Sequence, residues 1–420
     1  MKHQCSLRLD LLPGDCTLTW QVFDRLTGVN GGIARTITAA HLSDPDRIIE
    51  SFNNTVIKTC NGTNHESKLM ALQVWGGNTC KEIFPDEILR KLLSYDCGDI
   101  LFMVPLAWAD FPFEILYWNN EFLGQRFHIG TIINTGIPQG PEKQYNQDGE
   151  LMIITDSSEM LQSVCREGDS LKNTAINRKR QVRHVMQADN KKLIAEIPDA
   201  SIVHFAGHSS PDQEYDTAGW RLGNKQYFDI EHIKNISASP VLPWLVFSNS
   251  CNGGRIMLDP GLSGIAGAFL SAGVQQVIGP FCKLNDEQAK RCTISFYSYL
   301  FKGKNVAQSL TLLRKKFPRG AGITPLFYRL FGDPRYREQT KKKLWRKVFL
   351  ISAIIILLIS LLIRGVKIDL KVGNFISLKI KFYAPTYAPT ITPDTYEKIP
   401  MIELQSSDSL NDTIGTSPPE

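Results

Sequence analysis

The chain of 420 residues predicts an α/β fold: a mostly parallel sheet flanked by helices, with a single C-terminal transmembrane helix. Three observations lead there. Two short apolar runs, SIVHFAGHSS from Ser201 and WLVFSNSCNGG from Trp244, stand a crossover apart, and strands joined that way favour a parallel pair. Strand-like and helix-like segments alternate around them. Near the C-terminus, Leu344 to Ile363 reads LWRKVFLISAIIILLISLLI, uninterrupted by charge from Val348 onward.

In chain order, SLRLDLL and CTLTWQVF alternate apolar and polar residues as half-buried strands do, with Pro13, Gly14 and Asp15 as a turn between them. Residues 1–57 therefore read as a β-rich segment, either an appendage or an extension of the main sheet. PDEILRKLLSY predicts a helix with an acidic first turn, and DILFMVPLA a buried strand. ADFPFEILYWNNEFLGQRF predicts a strand–turn pair about Asn119 and Asn120. Its Trp108, Tyr117 and Trp118 suit a core better than a binding groove. Residues 137–150 are polar with Pro and Gly and read as a linker. LMIITD is a strand ending at Asp156, with a helix-like run after it. The basic stretch SLKNTAINRKRQVRHVMQ reads as a solvated face rather than a nucleic-acid patch.

The chemistry is expected at the carboxyl ends of the two apolar runs. Neighbouring parallel strands lie ~4.8 Å apart, so His208 and Cys251 arrive at the same edge of the sheet, where open α/β sheets place their sites. A thiol near its free pKa is only a few per cent thiolate at pH 7, and an adjacent imidazole deprotonates it. Gly253 and Gly254 follow at once, so backbone N–H groups can approach an oxyanion. A buried structural cysteine and a loop histidine would leave the same pattern. Asp156 shares the edge and has two readings: a pocket carboxylate for a basic substrate side chain, or an N-cap. Asp216 is a second pocket candidate. Further on, GLSGIAGAFLSAG predicts a tightly packed helix ending at Gly273, VQQVIGPF a strand, and Asn285–Asp286 the cap of the next helix. His204 shares an HxxxH spacing with His208, but on a strand that spacing does not bind metal, and His204 reads as core.

These residues also resemble a known family. HFAGH, SNSCNGG with GLSGIAGAFLSAGVQQVIGPF, LNDEQAKRCTISFYSYLFKGKNVAQSLTLLRKKF and LFYRLFGDP are similar to the CHAT branch of the caspase-like cysteine peptidases, in the caspase–separase clan. DILFMVPLAWADFPFEILYWNNEFLGQRFHI resembles the front of the same domain, so the likeness runs from about Phe84 to Arg335. It implies a caspase-like fold and thiol proteolysis, with His208 as general base, Cys251 as nucleophile, and the N–H groups of Ser209 and Cys251 around the oxyanion. It divides the chain into a front, pseudo-caspase-like part at 58–136 and a catalytic part at 151–338. Two positions depart from the family: Ser209 stands where Gly usually follows the His, and Ser250 where Ala usually precedes the Cys.

A net charge of +5 is mild and sits mostly beside the apolar run, so no nucleic acid is expected as a partner. Nine cysteines without CxxC spacing fit a reducing compartment, and neither metal nor cofactor is expected. Seven basic residues in the fifteen before Val348, against three in the fifteen after Ile363, place the N-terminal side in the cytoplasm. Residues 364–420 are a Pro/Thr/Ser-rich tail on the outside. The expected function is a membrane-anchored cysteine endopeptidase. Its partners are the lipid bilayer and a protein substrate, with a membrane-acting effector in bacterial defence or regulated cell death as the role the resemblance suggests. The alternative is a catalytically weak or inactive caspase-like scaffold at the membrane.

Overall fold

The computed structural model describes residues 4–12, 19–24, 35–38, 45–58, 65–134, 143–156, 162–209, 218–222, 226–256, 264–316, 322–338, 351–352, 355–356, 366–367 and 381–382. The chain divides into two compact units, Met1–Lys343 and Leu344–Glu420.

The first unit is built on one eleven-stranded sheet. Its strands in chain order are β1 (Gln4–Leu12), β2 (Thr19–Asp24), β3 (Arg35–Thr38), β4 (Cys97–Pro105), β5 (Phe127–Asn134), β6 (Leu151–Thr155), β7 (Val182–Val185), β8 (Ile202–Ala206), β9 (Leu245–Asn249), β10 (Gln276–Pro280) and β11 (Tyr328–Phe331). Their order across the sheet is β7-β6-β8-β9-β10-β11-β5-β4-β1-β2-β3. The sheet is mixed rather than simply parallel: β10–β11, β1–β2 and β2–β3 are antiparallel. The N-terminal strands extend the sheet, because β1 pairs in parallel with β4. Part of the expected linker is ordered, with Gln144–Asn146 pairing in parallel with Val241–Pro243.

Strands β6, β8, β9 and β10 are buried along their whole length. That is why they read as continuous apolar runs: helices cover both faces of a central parallel sheet. Alternation sends Met152, Ile154, Val203, Phe205 and Val246 into one core. Leu151, Ile153, Ile202, Leu245 and Phe247 go into the opposite one. The second core is closed by three helices, α1 (Gln162–Asn177), α3 (Asp286–Leu300) and α4 (Val306–Lys316); α2 (Gly264–Ala272) closes the first. Helix α2 ends where expected, at Gly273 with φ 102°. Asn285 caps α3, its side chain accepting the Gln288 N–H at 3.2 Å. Asn119 and Asn120, both at positive φ, make the turn between Tyr117–Trp118 and Glu121–Phe122. Trp108 is buried in the core, its ring edge-on to Phe111.

The membrane helix is corrected. Among the described residues no helix is long and apolar enough to cross a membrane. Of residues 344–363 only Ile351–Ser352 and Ile355–Ile356 are described, both helical, and the remainder lies outside the described residues. The physical weakness was visible in the length. Sixteen uncharged residues at 1.5 Å each reach ~24 Å, short of a ~30 Å hydrocarbon core. With the helix go the membrane anchor, the bilayer as a partner, and the single-pass placement with a cytoplasmic peptidase and an outside tail. In the second unit Val366–Lys367 also pairs antiparallel with Lys381–Phe382.

Candidate active site

Strands β8 and β9 run parallel in a register that pairs His204 with Phe247 and Ala206 with Asn249. Continued by two residues, the same register sets His208 opposite Cys251. Both lie past the carboxyl ends of their strands, at even spacing from His204 and Phe247, and so on the face covered by α1 and α3. Both residues line one recess with Val164, Glu167, Asn249, Leu284 and Asp286. The recess is small, about 20 Å³. That is room for a water or a carbonyl oxygen rather than a substrate side chain.

The loop carrying His208 is held from two sides. The Arg221 N–H donates to the His208 carbonyl at 2.9 Å. The Ser209 hydroxyl donates to the Cys251 carbonyl, tying the two loops directly. A glycine in that place, as the family usually has, could not make this bond.

Among the described residues no hydrogen bond joins Cys251 and His208. Cys251 Sγ instead accepts the Leu284 N–H at 3.5 Å. Burial pushes the Cys251 thiol up from its ordinary range. The Leu284 N–H opposes that, Asp286 adds to it and Lys283 subtracts from it. The resting sulfur is therefore a protonated thiol. Catalytic hydrogen bonds are often long or poorly aligned before substrate binds.

The glycines after Cys251 have another use than the one expected. The N–H groups of Asn252, Gly253 and Gly254 go to the carbonyls of Cys282, Ser250 and Pro280 at 3.3, 3.0 and 2.8 Å. Gly254 lies against β10 so closely that a Cβ there would meet the Gly279 oxygen at 2.2 Å. Asn252 takes positive φ (58°) to start this turn. These N–H groups fix the loop rather than face a substrate.

Asp156 does share the carboxyl edge, but strand alternation turns it to the opposite face from Thr155 and from the recess. It is fully buried beneath Gly207, with its Oδ2 3.7 Å from Arg221 Nε. Asp156 is not among the residues lining the recess. Asp216 lies outside the described residues. Asp286, read as a cap, sits beside Asn285 at the rim and accepts the Ser163 hydroxyl at 3.2 Å. His204 is buried as expected, with its Nε2 2.9 Å from Glu167 Oε1. Glu167 escaped the sequence reading. The signal was present: Val164, Glu167, Leu171 and Ala175 share one buried face of α1, so a helical period through that run puts a carboxylate in the core.

No curated protein sequence matches the chain. The fold is similar to separase in the Saccharomyces cerevisiae separase–securin complex at 3.0 Å, with a TM-score of 0.50 and 10% identity over 79% of this chain and 30% of that one. The same complex at 2.6 Å gives 0.38 and 16% over 56% of this chain and 16% of that one. The Arg specific cysteine proteinase gingipain R gives 0.46 and 12%, over 69% of this chain and 77% of that one. The chain thus spans less than a third of the separase chains it matches. At these identities the likeness is one of fold alone. The CHAT domain model matches residues 82–331, more than half of the chain, across β4 to β11 and through both His208 and Cys251. The protein therefore belongs to the CHAT domain family and carries its caspase-clan, cysteine-protease-like fold.

Proposed function

We propose that the protein is a cysteine endopeptidase in which Cys251 is the nucleophile and His208 its base. The observation that carries this reading is the recess lined by both residues at the carboxyl edge of paired parallel strands. In the reaction, the His208 imidazole takes the thiol proton as Sγ attacks the peptide carbonyl carbon. It then protonates the leaving amine, and water hydrolyses the thioester. The N–H groups of Ser209 and Cys251 hold the oxyanion. Burial that keeps the resting thiol protonated suits a nucleophile switched on by substrate rather than one reactive at all times.

The substrate class is protein. Asp156 is proposed as the carboxylate for a basic side chain entering on the other face, where that side chain would exchange with Arg221. The test is digestion of a diverse peptide library by the full chain, with Cys251→Ala as control. Cutting by wild type alone, after Lys or Arg, is the expected outcome. Absence of cutting by wild type sinks the peptidase, and cuts after other residues sink the role of Asp156.

A further inference from the structure

Beneath the recess one carboxylate joins every segment that carries the site. Glu167 of α1 is 3% exposed. Its Oε1 meets three partners: His204 Nε2 at 2.9 Å, and two donors, Asn249 Nδ2 at 2.7 Å and Thr293 Oγ1 at 2.9 Å. His204 lies on β8, four residues before His208. Asn249 ends β9, two residues before Cys251. Thr293 lies on α3, and Leu284, in the turn leading into that helix, donates its N–H to Cys251 Sγ. The Asn249 amide is held at its other end as well, its Oδ1 accepting the Tyr328 hydroxyl at 2.6 Å. His204 Nδ1 has no partner among the described residues, so Glu167 is what fixes that ring's polar edge.

A buried carboxylate is costly unless hydrogen-bonded, and a leucine on the same face of α1 would pack without that cost. Retaining the charge calls for a use. We propose that Glu167 is a positioning residue, which sets the separation of His208 from Cys251 by bracing β8, β9 and α3 on one oxygen. This inference rests on the peptidase reading above. The mode of action is placement. What shifts the Cys251 thiol is burial, then the Leu284 N–H, Asp286, Lys283 and its own backbone N–H. The charge of Glu167 is felt instead by Cys292, Tyr297 and Tyr328, whose protons it helps retain. Glutamine keeps an acceptor oxygen in the same place and should largely preserve the brace; leucine abolishes it.

The experiment is the rate at which a mixture of peptidyl acyloxymethyl ketones, which occupy the site as a substrate does, labels Cys251, read by peptide mass spectrometry from pH 6 to 9. It compares wild type, His208→Ala, Glu167→Gln, Glu167→Leu and Thr293→Val, each shown to be folded by thermal melting. Wild type is expected to label at least tenfold faster than H208A near pH 7. E167L should fall to the H208A rate with the same flattened pH profile, E167Q should stay within threefold of wild type, and T293V should lose about threefold. A merely structural glutamate would change the melting temperature of E167L and leave the labelling profile of the folded protein where it was. If E167L does not fold, T293V decides: labelling at the wild-type rate overturns the inference. Wild type no faster than H208A overturns the Cys–His reading and this inference with it. A fast wild type with an equally fast E167L overturns the inference alone.

Discussion

Replacing Gly254 with alanine tests how tightly the loop after Cys251 is locked to the sheet. The added Cβ would lie 2.2 Å from the Gly279 oxygen, 2.5 Å from its carbonyl carbon and 3.0 Å from its Cα. Comfortable contact needs about 3.5 Å, so the two backbones must part by roughly 1 Å. All three atoms are main chain, and none can rotate aside. The Gly254 N–H bond to Pro280 O, 2.8 Å long, is broken by that movement. Overpacking costs about 1–3 kcal/mol, and a buried donor left without its acceptor about 1–3 more. A loss of about 3 kcal/mol in urea unfolding is expected, with slower labelling of Cys251. Gly77→Ala is the control. Gly77 lies inside the helix His65–Ile83, where the nearest atom from outside its own turns of helix, Tyr117 O, is 3.8 Å from the added Cβ. There alanine should stabilise by about 0.5–1 kcal/mol. Gly254→Ala as stable as wild type, within 0.5 kcal/mol or so, would refute the locked loop.

Two further changes probe the surroundings. Ser209→Ala removes the hydroxyl bonded to the Cys251 carbonyl; it should cost about 1 kcal/mol in urea unfolding and slow Cys251 labelling, and unchanged labelling would show that the bond does not hold the two loops together. Cys80 is buried, and that burial pushes its thiol from 9.0 up to about 12. Its folded value lies above the unfolded one, so its stabilising contribution is complete below pH 9 and is lost as pH rises toward 12. At pH 10.5 this amounts to about 2 kcal/mol. Cys80→Ala should therefore lose less stability than wild type between pH 8 and 10.5, while Cys292, Tyr297 and Tyr328 act alike in both proteins; parallel losses would contradict the assignment.

Much of the site was legible because two apolar runs with a reactive residue after each have few ways to lie in an α/β sheet. The period of two along His204–Ala206–His208 and Phe247–Asn249–Cys251 then decides the face. The same period, applied to LMIIT, places Asp156 on the other face of the sheet from the recess, beside Arg221. Glu167 is not at a strand end; it lies on the buried face of the helix beside the strands, where a carboxylate is uncommon. The glycines were assigned to the oxyanion by chemistry alone, since close packing of Gly254 on Gly279 depends on strands distant in sequence. The apolar run at 344–363 was read from composition. Composition shows what a segment could bury, and a helix that spans a bilayer also needs about twenty apolar residues; most of 344–363 lies outside the described residues.

The most direct measurement of the central claim is covalent trapping. The full chain is exposed to peptidyl acyloxymethyl ketones bearing Arg, Lys or Ala next to the warhead, and the modified cysteine is located by mass spectrometry. A single adduct on Cys251 is expected, lost in His208→Ala, with Cys80, Cys97 and Cys165 unmodified. Adducts scattered over those cysteines, or an adduct on Cys251 that forms equally well without His208, would contradict it.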